Sequence, residues 1–107
     1  MSAPDADRPE VDAAAVLHAL AEPRRTELLR LLTDQQLCTR DLVTATGMSQ
    51  PLVSHHLRIL RQSGLVDSTV CSNLRVYRVR ADTLKILGER LAQMAERAAV
   101  TSYEEPC

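Results

Sequence analysis

The stretch Thr39-Arg-Asp-Leu-Val-Thr-Ala-Thr-Gly-Met-Ser-Gln-Pro-Leu-Val-Ser-His-His-Leu-Arg-Ile-Leu-Arg-Gln-Ser-Gly64 decides the fold. Thr39 can cap a short helix, TRDLVTAT, and Gly47 is the residue type that ends a helix at positive φ. Ser49 is a natural N-cap for the next helix. Pro51 lies in its first turn, where the missing N–H is harmless, and Gly64 marks the C-terminal stop. Two helices joined through Gly47-Met48-Ser49 have the spacing of a helix-turn-helix. In the second helix, Val53, Leu57 and Leu60 share one face and are expected to pack inward. Gln50, Ser54, His55, Arg58 and Arg61 are then turned outward.

N-terminal to this block, apolar residues 13, 16, 17 and 20 of VDAAAVLHALA repeat at helical spacing, and Pro23 interrupts the run. Glu22-Pro23 opens a second helix through RRTELLRLL to about Thr33, with core leucines 28, 29, 31 and 32. The segment 33–38 reads as a polar connection. C-terminal to the block, LVDSTVCSNLRVYRV is β-branched on both sides of Ser72-Asn73, and asparagine accepts the positive φ of a tight hairpin, so a two-stranded wing is expected. Asp82 is a candidate cap for a last helix. Its residues Leu84, Leu87, Leu91, Met94 and Ala98 form a seam that asks for a partner helix. The expected fold class is mainly α with a small β-hairpin, a winged helix-turn-helix in the order α-α-α-α-β-β-α, dimerising through its first and last helices. Residues 11–99 form that domain, between flexible tails at 1–10 and 100–107.

Composition narrows the function. The 107 residues suffice for one domain, and the net charge of −1 hides an uneven distribution. Residues 23–81 carry nine arginines against four acids, while both ends of the chain are acidic. A local positive surface suits a nucleic acid, and arginine's planar fork suits phosphate and guanine. The two tyrosines, with no Trp or Phe, make a stacking platform for single strands an unsuitable reading and leave duplex DNA or protein as partners. Gln50 can pair with adenine, Ser54 and His55 can meet base edges, and Arg58 can reach guanine or phosphate. The three glycines form no phosphate loop and no carboxylate pair sits in a recognisable context, which argues against an enzyme. Cys38, Cys71 and Cys107 make no C-x-x-C, so neither a zinc knot nor a disulfide framework builds the fold. No apolar run reaches membrane-spanning length and the acidic N-terminus is unlike a signal peptide, so no membrane role and a cytoplasmic location are expected.

The run MSQPLVSHHLRILRQSGLV, preceded by AEPRRTELLRLL and followed by a hairpin ending RVYRV, resembles the ArsR/SmtB family of bacterial winged-helix repressors over about residues 12–98. The resemblance implies a homodimer that binds a palindromic double-stranded operator and is released by an inducer. It assigns DNA contacts to Arg40, Ser49, Gln50, Ser54, His55, Arg58 and, in the wing, Arg75. Family members sense metals through differently placed ligand sets, and this chain carries few of them. The paired cysteines of the arsenic type are reduced in LCTRDL to Cys38 and Asp41, with Arg40 at the second cysteine position. The last helix has no histidine for a zinc-type site, and HHLRILRQSG has no cysteine for the lead and cadmium type. His18, Cys38, Asp41 and Cys107 remain as candidate ligands, for Ni²⁺ or Zn²⁺ as a borderline ion or for As(III). Adjacent His55 and His56 diverge by about 100° on a helix and cannot chelate one ion. His56 turns toward the Val53 and Leu60 face as a packed histidine. The alternatives are a winged helix used for protein contact, a thiol-redox regulator built on Cys38 beside Arg40, or a regulator aided by a co-regulatory protein.

Overall fold

A computed structural model describes residues 11–101. The elements run α1 (Ala13–Leu20), α2 (Pro23–Asp34), β1 (Leu37–Cys38), α3 (Thr39–Thr46), α4 (Gln50–Gln62), β2 (Val66–Cys71), β3 (Leu74–Val79) and α5 (Ala81–Ala99). The four helices, the wing and the long last helix agree with the sequence reading. Of the tails assigned to 1–10 and 100–107, residues 1–10 and 102–107, with Cys107, lie outside the described residues.

Local chemistry explains the boundaries. Asp12 accepts from the Ala15 N–H and caps α1, and Glu22 accepts from the Arg24 N–H ahead of Pro23. Gly47 ends α3 at φ 75°, its N–H donating to Val43 O at 2.9 Å. The Thr46 hydroxyl then accepts from the Met48 N–H and holds the three-residue turn. Ser49 Oγ accepts from the Leu52 N–H at 3.3 Å to start α4. Gly64, at φ 88°, ends it, with the Leu65 N–H reaching back to Leu60 O. Ser72 and Asn73 both take positive φ, 50° and 71°, as a two-residue hairpin turn with a matching twist requires.

Three local details differ from the sequence expectation. The segment before α3 contains the short strand β1, which adds to the hairpin and makes a three-stranded antiparallel sheet in the order β1-β3-β2. Cys38, rather than Thr39, is the N-cap of α3, because the Asp41 carboxylate three residues on accepts from the Cys38 N–H at 3.3 Å. Arg80, rather than Asp82, is the N-cap of α5. Asp82 lies in the first turn, where it accepts from Thr83 N and from Arg80.

The core joins Val16 and Ala19 of α1, Leu28, Leu29 and Leu32 of α2, Leu42 of α3, Val53, Leu57 and Leu60 of α4, Leu65 and Val66, Tyr77 of β3, and Leu87 of α5. Each buried leucine contributes about 2 kcal/mol through removal of its apolar surface from water. The corner after α4 is fastened to α5 by polar contacts, since the buried Thr83 hydroxyl donates to Gly64 O at 2.7 Å and the Arg80 N–H to Leu65 O. Beyond Leu87 every residue of α5 is exposed, Leu91 at 49% and Met94 at 65%. Leu17 of α1 is also exposed, at 48%.

Leu57→Ala is expected to lower unfolding free energy by about 2–5 kcal/mol, read by urea denaturation, because it empties a site at the centre of the core. Gly47→Ala is expected to cost about 1–2 kcal/mol. A Cβ at residue 47 meets nothing within 4 Å, so backbone strain is the sole cause of that loss.

Candidate nucleic-acid interface

Val53, His56, Leu57 and Leu60 are buried on one side of α4, while Gln50, Ser54, His55, Arg58 and Arg61 are exposed on the other. This division follows from the helical period. The outward residues start at the N-terminus of α4, whose free N–H groups and positive dipole end favour anions. Ser49 is exposed there, and because its oxygen only accepts within the cap, its hydroxyl proton remains available to an external acceptor.

The wing brings Arg75 to the same side. On β3, Arg75 shares a face with Tyr77 and Val79, the face that packs on the helices, and Arg75 lies past the edge of the core. Its Nη1 donates to Ser68 Oγ at 2.9 Å. Arg75 and Gln50 line an open groove of about 320 Å³ together with Cys38, Thr39, Arg40 and Val43 around the start of α3 and Asn73 and Leu74 at the wing tip. Its polar lining, Thr39 and Arg40 of α3, Gln50 of α4 and Asn73 and Arg75 of the wing, suits a phosphate. Arg58 lies further along α4. No ion pair among the described residues occupies Arg40, Arg58 or Arg75.

The other wing arginines behave differently. Arg78 donates to Asp67 at 2.8 Å across the hairpin, and Arg80 bonds Asp82 at 2.9 Å. The Arg80 hydrogen bond holds the Asp82 carboxyl below its usual range, and the bond to Asp67 raises Arg78. These two cations are neutralised locally, so the positive part of the wing is its Arg75 side.

Among the described residues the candidate metal ligands do not converge. Among the described residues no three His, Cys, Asp or Glu side chains form a cluster. His18 is exposed on α1, whereas Cys38 and Asp41 lie at the start of α3, where the thiol donates to the carboxylate at 3.2 Å. One thiol and one carboxylate, with a guanidinium at position 40, do not fit a three-thiolate As(III) site within one chain. Cys71 is exposed near the wing tip.

One residue of consequence was missed in the sequence. Arg25 is buried, 7% exposed, beneath α4. Its signal was its position, because Arg25, Leu28, Leu29 and Leu32 follow the i, i+3, i+4, i+7 stripe of the core face of α2. His56, read from the sequence as a packed histidine, is 5% exposed and lies against it.

The family profile described as "Bacterial regulatory protein, arsR family" matches residues 22–68, from the start of α2 into β2. The arsenical resistance operon repressor of Staphylococcus xylosus is 32% identical over 78 residues, which are 73% of this chain and 75% of that protein. The HTH-type transcriptional repressor SmtB of Mycobacterium tuberculosis is 40% identical over 70 residues, 64% of this chain, and the match spans about half of that relative, 52%. Among solved structures, the homodimeric winged helix-turn-helix DNA-binding domain of a possible ArsR-family regulator from Mycobacterium bovis superposes with a TM-score of 0.65 at 27% identity, covering 86% of each chain. With the winged helix-turn-helix architecture and a matched segment that contains the α3-turn-α4 unit, the chain belongs to the arsR family of bacterial regulatory proteins.

Proposed function

We propose that the chain is a dimeric, sequence-specific transcriptional repressor that inserts α4 into the major groove of duplex DNA and lays the Arg75 side of the wing along the backbone. The observation that carries this reading is the groove shared by Arg40, Gln50 and Arg75, which continues the outward face of α4 without a compensating acid among its lining residues. Gln50, Ser54 and His55 would read bases, while Arg40, Ser49, Arg58 and Arg75 would hold phosphates. Duplex DNA as partner places the work of the protein in the bacterial cytoplasm.

Dimerisation is supported by the exposed apolar residues Leu17, Leu91 and Met94 on the first and last helices, and by the homodimeric relative. A two-fold pair sets two recognition helices about one duplex turn apart, which calls for a palindromic operator. Recognition by protein contact alone would leave the cationic groove without a role. As to the effector, Cys38 and Asp41 supply at most part of a ligand set from one chain, so a metal site would need donors from His18, from Cys107, or from the second copy.

In a salt-titrated gel shift on the DNA upstream of its own gene, Ser54→Ala and His55→Ala are expected to weaken specific binding by about 1–3 kcal/mol each while sparing a shuffled duplex. Equal losses on both duplexes would contradict a base-reading role. Arg75→Ala is expected to weaken both and to reduce the slope of log affinity against log salt by about 1. An unchanged slope would remove Arg75 from the phosphate contacts. Leu91→Glu is expected to give a monomer by sedimentation, and a dimer that survives this change would move the interface away from α5.

A further inference from the structure

Beneath the proposed recognition face lies a buried polar junction that DNA reading by itself does not use. Arg25, on α2, donates through Nε to Ala19 O at 2.7 Å and through Nη2 to His18 O at 3.3 Å. Both carbonyls belong to the last turn of α1, where unpaired acceptors and the negative dipole end favour a cation. The remaining arm, Nη1, meets His56 Nδ1 on α4 at 3.3 Å. One guanidinium therefore joins the end of the first helix to the inner face of the recognition helix.

The chemistry of the pair fixes its protonation. A guanidinium has donors only and does not lose its proton in proteins, so His56 Nδ1 must be an acceptor. The proton of a neutral ring then sits on Nε2, which is buried and has no hydrogen-bond partner among the described residues. A second proton, on Nδ1, would place donor against donor and cation against cation at 3.3 Å in a buried site. The ionisable groups around the ring are Arg25, Arg24 and Glu22 at the start of α2 and His55 on α4 itself, and Glu22 alone among them favours the charged form. On the α1 side the junction meets backbone carbonyls rather than a carboxylate.

We propose that the Arg25–His56 pair is a proton-sensitive latch that positions α4 against α1 and α2, so that specific operator binding requires a neutral His56. The proposal rests on α4 being the DNA-reading helix. Burial first, and then the charges of Arg25 and His55, hold His56 below its ordinary value of 6.5, which agrees with a neutral ring in the closed state. The sign follows from linkage. Since the folded protein binds this proton less readily than the unfolded chain, the stabilisation is complete above 6.5 and declines as pH falls from 6.5 toward the lowered folded value.

The test uses the full chain, a fluorescent duplex from upstream of its own gene and a shuffled duplex, at constant ionic strength from about pH 8 to about pH 5. The wild type is expected to lose about tenfold in specific affinity over the acid half of this range, with no loss on the shuffled duplex. His56→Gln, which can still accept from Arg25 but does not titrate, is expected to keep its specific affinity within about threefold throughout. A flat wild-type profile, or the same acid loss in His56→Gln, would overturn the latch and leave the DNA reading standing. Absence of binding to either duplex at every pH would overturn the DNA reading, and the latch with it. Should His56→Gln not fold, nitrogen NMR of the wild-type ring decides. An Nε2–H tautomer near neutral pH is expected, and an Nδ1–H tautomer or a charged ring would refute the proposal.

Discussion

The orientation of α4 is set by the burial of one of its sides. Val53, Leu57 and Leu60 are removed from water by α2, α3 and the root of the wing, and the helical period then leaves Gln50, Ser54, His55 and Arg58 outside. A rotation of α4 by one residue would expose leucines and bury arginines, at a cost of several kcal/mol per misplaced group. The outward chemistry is thus held in place by the inward chemistry. The outward surface needs no separate device to orient it.

The ends of α4 are held as firmly as its face. Gly47 and Ser49 set the entry, Gly64 the exit, and the Thr83 hydroxyl ties that exit to the start of α5. Arg25 ties the middle of α4 to the end of α1. The helix bearing the proposed base contacts is therefore connected to both helices that carry exposed leucines, α1 through Arg25 and α5 through Thr83. A change at the proposed dimer seam has a short mechanical route to α4, and a buried histidine stands on one branch of it.

The helix breaks and the hairpin turn were legible in the sequence. Pro23, Gly47, Ser49, Pro51 and Gly64 punctuate helices by backbone geometry alone, and Ser72-Asn73 announces the hairpin by its tolerance of positive φ. The short strand β1 was not legible, because two residues have no period and Leu37-Cys38 becomes a strand only through pairing with Val76 and Tyr77, far along the chain. The Cys38 cap escaped for a related reason, since the Asp41 carboxylate supplies the stabilising contact from three residues away. Arg25 was counted as surface charge, although its place in the leucine stripe of α2 marked it as buried. Its partner, the histidine 31 positions later, is a tertiary fact.

In the proposed function two copies present two α4 helices to successive major grooves of one duplex. Hydroxyl-radical footprinting of the chain on the DNA upstream of its own gene should then show two protected patches related by a two-fold axis, with centres about 10 base pairs apart or a small multiple of that spacing. A single unsymmetrical patch, or uniform reactivity at concentrations that saturate binding, would contradict it.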